Sequence, residues 1–486
     1  MSSKLEQFLF YFLFFAIPLQ TRKILYSPGW YYNEWQSVSV YATDIILLAL
    51  FAFWLFNSYS KLSYYVLRIT YYGKNFKSLI LNTKYPVKAR GPLGFSGLVL
   101  NPDFYLVLFL IAAGISIKNS SDFYVGVFLW LKLIEFALFY FYLKTCAIRK
   151  FDFIKILYAL ILGGAFQAVI AIGQFLKQGD LGLRWLGESV LGPNMQGVAS
   201  FLVPSNVDGF VGLGLKVMRA YGTTPHPNVL AAYLFLAVVA IYFVVFYAKS
   251  RRYDSLPRQQ TGLIYQSIVH GVVLFGLFFT FSRTIIFIFF VNFFARGVLA
   301  GFIKRFREKY LFGNFFKKKV LPLFLVTVIA TVVFTAFYWP EVKSRMTLSS
   351  EEEAVQLRIF YNKESLGGGI NFFGIGLGDF TGWLMEQNPN LPRHVYQPVH
   401  NIYLLVYSEM GVIGFILFLL FLAGLLYGFV KKTRLCELKH YSFLLVVASI
   451  LFIGLFDHFL FTIQQGRFVF WLSAALLTFY NNNDTI

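Results

Sequence analysis

Charge is scarce in this chain and cysteine is almost missing. Of 486 residues only 14% are charged, Asp and Glu together number 23, and there are two cysteines and six histidines. So little charge, set against 58% hydrophobic residues and a mean hydropathy of +0.63, excludes a soluble domain of this length. Cys146 and Cys436 fall in or beside segments assigned below to the inside, where thiols stay reduced, and neither has metal-site spacing. Cysteine chemistry is therefore excluded. The first apolar run ends in "PLQTRK" with no small-residue cleavage site, so it reads as a retained span. "NFFGIGLGDF" (371–380) lacks the dinucleotide spacing and speaks only for a close backbone approach.

What is present is a series of long apolar runs. Runs of about 18 or more apolar residues read as membrane helices, and the abundance of Phe and Tyr suits lipid contact and interfacial belts. The pattern predicts an all-α polytopic membrane protein with about twelve spans, good to a few residues. They lie near 6–20, 41–57, 103–118, 122–143, 153–176, 227–247, 263–281, 284–300, 320–339, 401–429, 441–461 and 463–480. With the N-terminus inside, basic clusters at Lys61–Arg90, Lys249–Arg258, Lys304–Lys319 and Lys431–Lys439 all fall inside. The net charge of +20 thus orients the protein in a bilayer and calls for no nucleic acid. The N-terminal helices, 1–176, divide from a region at 177–486 that carries two long outer loops with short helices, near 177–227 and 340–400. Such loops are usually functional. In the second, Ser349 or Ser350 is placed to cap a helix whose first turn holds Glu351, Glu352 and Glu353.

Polar residues gather on the outer side: Arg219, His226, Arg283, Arg358, Arg393, His394, His400, Asp457, His458 and Arg467. Arginines there run against the positive-inside trend. Some serve as interfacial anchors, but a cluster with histidines on one side asks for a further reason. In "MRAYGTTPHPNVLAAYL" the prolines stiffen a helix entry and Asn228 is placed to cap it, which leaves Arg219 unexplained. Arg283 in "TFSRTIIF" is an interfacial anchor or a bidentate phosphate ligand. His400 opens "VHNIYLLVYSEMGVIG" and is a general base or a hydrogen-bonded interfacial histidine; nearby arginines would keep it neutral. Glu409 falls about 13 Å deeper on the opposite helix face, as a structural polar contact, with Lys132 or Lys155 as a partner. "FDHFLFTIQQGRF" brings Asp457, His458, Gln464 and Arg467 to a last outer turn, either as a charged hairpin tip or as an acid–base or ligand group.

In order and sidedness, "RAYGTTPHPN", "SRT", "GIGLGDF" and "HNIYLLVYSEMGVIG" resemble the O-antigen ligase and O-antigen polymerase superfamily of bacterial envelope glycosyltransferases, over about residues 180–480. The resemblance implies transfer of a glycan from an undecaprenyl-type diphosphate carrier to an acceptor hydroxyl on the outer face of the cytoplasmic membrane. It implies no cofactor and no metal, with inversion at the transferred sugar. Carried over by motif, Arg219 and Arg283 would hold the diphosphate and His400 would deprotonate the acceptor. Arg358, Asn401, His226, Asn228, Asp457, His458 and Arg467 would make secondary contacts. The polar tip at Asp457 and His458 departs from the ligase core motif and leaves the acceptor open: a glycolipid, a polysaccharide (the polymerase alternative) or a protein.

Two other classes compete. A polysaccharide or lipid transporter would hold its ionisable residues near the midplane on broken helices, whereas here they concentrate outside. Metal-dependent polyprenol-linked glycosyltransferases resemble one another in an acidic pair in the first outer loop; between Gln20 and Tyr41 this chain has only Glu34.

Overall fold

Apolar runs become helices here because a backbone in lipid must satisfy its own hydrogen bonds. Polar residues at the breaks fix where each helix begins. Asn101 accepts from Asp103 N ahead of Pro102–Ser116, Asp122 from Val125 N ahead of Phe123–Tyr142, and Asp152 from Ile154 N ahead of Phe153–Lys177. The computed structural model describes residues 4–27, 33–72, 101–207, 210–247, 256–302, 320–347, 352–367, 371–433 and 438–478. Most of the basic inside clusters, Cys436, and Ser349, Ser350 and Glu351 lie outside the described residues.

Among the described residues five helices are long and apolar enough to cross a membrane: Pro102–Asn119, Phe123–Lys150, Phe153–Lys177, Pro227–Val245 and Ile402–Lys431. Leu321–Phe337 and Trp339–Met346, bent by 94° at their junction, make a sixth if taken as one span. The expected count of about twelve is not reached on this measure. One of the expected runs is a short helix whose apolar residues serve the protein core. In Gln464–Leu476, 13 residues long, all but one side chain is buried. Ala42–Asn57, Ile264–Phe279 and His440–Ile453 are apolar stretches of the helices Ala42–Tyr72, Leu256–Phe279 and Leu438–Ile453, and the first two expose large apolar side chains such as Leu48, Phe56 and Ile268.

The fold is mostly helical without being purely so. Arg22–Tyr26 pairs antiparallel with Val38–Tyr41, and Ser200–Val207 with Phe210–Met218. The second hairpin occupies much of the first long loop, which also holds one short helical turn at Arg184–Leu186. The other long loop does carry short helices, at Trp339–Met346, Glu353–Gly367 and Phe380–Gln387. The bundle core is aromatic: Phe10 stacks on Phe151 at 4.0 Å, Phe175 on Phe279 at 4.3 Å, and Phe243 on Phe443 at 4.8 Å.

Both hairpins, the short helices and the turn at 454–463 meet at one end of the bundle. Gln20 N donates to Leu186 O, Ile402 N to Gly454 O, and Asn119 Nδ2 to Gly374 O. The helix Ile402–Lys432 breaks at Gly411, whose φ of 69° and ψ of −170° are not helical. The loop 371–380 docks into that break. Val412 N and Ile413 N donate to the carbonyls of Asn371 and Phe372, and Ile375 N and Gly376 N donate to those of Ser408 and Glu409. Backbone groups freed by the kink are thus satisfied from within the protein. A Cβ on Gly411 would come within 2.4 Å of Phe372 backbone atoms, so glycine is required there.

Candidate active site

The site is built where three helix ends and one turn converge. The helix Pro227–Tyr247 starts after His226, and the cap is the histidine: Asn228 N donates to His226 Nδ1 at 3.2 Å. Asn228, expected as the cap, lies one residue inside the helix, and its side chain is spent elsewhere. Its Oδ1 accepts from Arg219 Nη2 at 2.6 Å and from Ser282 Oγ at 3.0 Å, and its Nδ2 donates to Asp457 Oδ2 at 2.6 Å. Arg219, 8% exposed, donates a further bond from Nε to Thr280 O at 2.6 Å. One amide thus ties an arginine, a serine and an aspartate from three other segments of the chain.

Asp457 leads on to the histidines. Its Oδ1 accepts from Phe459 N at 3.3 Å, opening the short helix Phe459–Thr462. The next side chain, His458, is buried, with Nδ1 2.7 Å from Thr462 Oγ1 and its ring edge-on to Trp35 at 4.9 Å. His400 meets His458 edge-on at 4.9 Å and stacks on Tyr361 at 5.4 Å with the planes 8° apart. Asn401, beside it, caps the helix Ile402–Lys432 by accepting from Tyr403 N and Leu404 N. His400 is half-buried, and among the described residues no group meets hydrogen-bond geometry at its Nδ1.

Electrostatics favours neutral imidazoles here. Burial, followed by the charge of Arg219, lowers His226 to about 3, as befits a ring nitrogen that accepts from Asn228 N. Burial, followed by the proximity of His400, lowers His458 to about 3. His400 is lowered by burial; Asp457 opposes this and Arg358 adds to it. For Asp457, burial would raise the carboxyl, but His458, His400, His226 and the Asn228 hydrogen bond bring it down to about 2. The turn therefore holds one carboxylate among three neutral imidazoles.

A group of arginines borders these residues. Arg283 grips Glu352 with two bonds, Nη1 to Oε2 at 2.8 Å and Nη2 to Oε1 at 2.9 Å, and Arg345 reaches the same carboxylate at 3.2 Å. Partial burial would raise the Glu352 carboxyl, but the bonds and charge of Arg283, then of Arg345, hold it below its usual range. The fields of Arg345 and Arg358 both act on Arg219, which burial and those charges lower to about 9. Arg358 is half-buried, faces His400, His226 and His458 electrostatically, and makes no hydrogen bond or ion pair among the described residues. Two of the four guanidiniums share one glutamate, an arrangement suited to an anion with several oxygens.

The remaining expected residues lie apart. Arg467 is buried and donates from Nε to Phe461 O at 2.7 Å. Glu409 accepts from the N–H groups of Gly378 and Phe380, anchoring the glycine loop, while Lys132 pairs with Asp44 and Glu135 instead. The φ of 117° at Gly376, and the 2.4 Å from a Cβ there to Ser120 Oγ, explain the glycine at the loop's tightest point. Arg467 and Glu409 line a cavity of about 70 Å³ that Arg219, Arg283 and His400 do not line. Trp35, Tyr361 and Arg345 join the site without having been singled out from the sequence, and Glu352 joins it although the sequence marked it only as a helix-start residue. Only Glu352 carried a signal, as one of three consecutive glutamates beside a region of unpaired arginines. Among the described residues no three His, Cys, Asp or Glu side chains are arranged to hold a metal ion.

No curated protein matches the chain. Residues 268–419 match the family model described as O-antigen ligase. That stretch contains Arg283, Glu352, Arg358, the glycine loop with the helix break it fills, and His400; Arg219 and Asp457 lie to either side of it. The match carries three of the four arginines, Arg283, Arg345 and Arg358, together with the half-buried imidazole of His400, and over this stretch the chain is similar to O-antigen ligases.

Proposed function

We propose that the protein transfers a glycan from a polyprenyl diphosphate carrier, such as undecaprenyl diphosphate, to an acceptor hydroxyl on the outer face of a bacterial cytoplasmic membrane. The observation that carries this reading is the arginine group beside a neutral, half-buried imidazole. Arg219, Arg283, Arg345 and Arg358 offer planar donors to a diphosphate, with Glu352 occupying two of them until an anion arrives. The acceptor oxygen attacks the anomeric carbon as the bond from that carbon to the diphosphate oxygen breaks, giving inversion. The acceptor proton passes to His400, and the polyprenyl diphosphate leaves with its negative charge held by the guanidiniums. In this scheme no metal is required, because the arginines stabilise the departing charge. The activated linkage supplies the driving force, so no nucleotide enters.

Asp457 has a positioning role. Its carboxylate fixes Asn228, and so Arg219, and steadies the imidazolium that forms transiently at His400 and His458. Placing this end of the bundle outward follows from the basic clusters expected inside. With that orientation the short apolar helices complete a chain of about twelve passes. Growing polysaccharide, glycolipid and protein acceptors all offer the hydroxyl that the scheme needs.

The test is a transfer assay with purified protein, a polyprenyl-diphosphate-linked oligosaccharide and candidate acceptors. The expected outcome is release of polyprenyl diphosphate with glycosylated acceptor, unaffected by a chelator and reduced at least a hundredfold by Arg283→Ala. Loss of activity on chelation would replace the proposed mechanism with a metal-dependent one.

A further inference from the structure

Behind the wall formed by Trp35, Thr462 and Pro398 lies the cavity of about 70 Å³. Space of that size, open to the centres of water molecules, holds roughly five waters, which is comparable to the volume of one sugar ring. The wall is shared with the site. Trp35 packs against His458, Thr462 bonds His458, and Pro398 precedes His400 by two residues.

The chemistry of the lining is unlike that of the arginine group. Arg22 pairs with Glu34 at 2.9 Å, Lys132 pairs with Asp44 and Glu135, Glu409 accepts from the loop amides of Gly378 and Phe380, and Arg467 donates its Nε to Phe461 O at 2.7 Å and forms no ion pair among the described residues. Three neutral polar atoms remain without a partner. Gln464 Oε1, Thr381 Oγ1 and Ser39 Oγ are buried and unbonded, on residues only 1%, 2% and 3% exposed. Buried polar atoms left unpaired are costly, and three of them around one cavity mark a place for hydroxyl groups. Trp35, Tyr41 and Trp471 add aromatic surface to the lining. A hydroxyl-rich ring with apolar C–H faces satisfies both features, and the Arg467 guanidinium adds donors for its oxygens.

We propose that this cavity binds one sugar ring of the acceptor, held against the wall that the cavity shares with the His400–His458 pair. The inference rests on the glycosyl-transfer reading for its role and on Gln464, Thr381 and Ser39 for its location.

Saturation-transfer difference NMR on the full-length protein in detergent provides the test. The probes are the methyl glycosides of glucose, galactose, N-acetylglucosamine and rhamnose, with inorganic pyrophosphate as a separate probe of the arginine group. At least one glycoside is expected to bind the wild type, and to bind at least fivefold more weakly in Gln464→Leu and Thr381→Val. Pyrophosphate binding should be unchanged in both. Thr381→Val removes only an unpaired hydroxyl from a buried site and should leave the melting temperature intact, so it decides the matter if Gln464→Leu does not fold. The inference is overturned if no glycoside binds, or if folded Thr381→Val binds like wild type, which would mean a cavity holding water only. Sugar binding without any transfer from a lipid-linked glycan would overturn the transferase reading and leave the sugar site standing. Transfer with an acceptor KM indifferent to both variants would overturn the sugar site alone.

Discussion

Asn228 and Asp457 lie 229 residues apart in the chain and meet at 2.6 Å, the amide nitrogen of one donating to the carboxylate of the other. The same amide accepts from Arg219 through its oxygen. Both of its functional atoms are committed, so neither an acid nor an apolar residue can replace it. Asn228→Ala leaves Arg219 and Asp457 each one partner short in a buried setting. The expected cost is about 2–4 kcal/mol of stability, read as a lowered melting temperature. Asn228→Asp should be at least as damaging, because it sets a second carboxylate against Asp457. A melting temperature unchanged in both variants would contradict the connection.

Glu352 holds Arg283 and Arg345 where an anionic substrate would. Removing its charge without removing its shape should free those guanidiniums. Glu352→Gln is expected to bind inorganic pyrophosphate several-fold more tightly than wild type, as measured by calorimetry. Arg283→Ala should bind it at least tenfold more weakly. Weaker binding in Glu352→Gln would mean that the glutamate positions the arginines and does not compete with the ligand.

The glycine at the break in the helix Ile402–Lys432 admits no side chain. Gly411→Ala forces a Cβ to within 2.4 Å of Phe372 backbone atoms at a φ of 69°. Strain and lost packing should together cost about 2–4 kcal/mol. Because the loop 371–380 is seated on this break, limited proteolysis of Gly411→Ala should cut within that loop sooner than in wild type.

Acid should loosen the site before it affects the rest of the protein. His226 and His458 are held near 3 and His400 is lowered, all from an ordinary 6.5, with burial the first cause in each. Between about pH 6.5 and 3 the unfolded chain takes up protons that the folded one refuses. Stability is therefore level above about 6.5 and falls as the pH drops. Asp457, held at about 2 against an ordinary 3.8, adds its own loss only below that ordinary value. Melting temperatures measured from pH 8 to pH 4 should show this decline, and His458→Gln should make it shallower. An identical slope in His458→Gln would contradict the assignment.

Much of this was legible in the sequence, and the exceptions have physical causes. Long apolar runs gave the membrane helices, but hydropathy cannot tell a lipid-facing run from one packed inside the bundle, as Gln464–Leu476 shows. His226 and Asn228 were visible as a helix start; which of them capped it depended on Arg219 and Asp457 competing for the amide, and that is a tertiary fact. Glu409 sat in an apolar run with no sign that Gly411, two residues on, breaks the helix to receive a loop. Asp44, Trp35 and Tyr361 carried no local signal, because their neighbours in space come from distant segments.

The central claim is that His400 takes the acceptor proton next to an arginine group holding a diphosphate. Its most direct test is single-turnover transfer from a lipid-linked oligosaccharide, comparing wild type, His400→Ala and Arg219→Ala with donor binding measured in parallel. The account predicts that His400→Ala binds donor as wild type does while transfer falls about a hundredfold or more. It predicts that Arg219→Ala loses donor affinity as well. Wild-type rates in His400→Ala would contradict it.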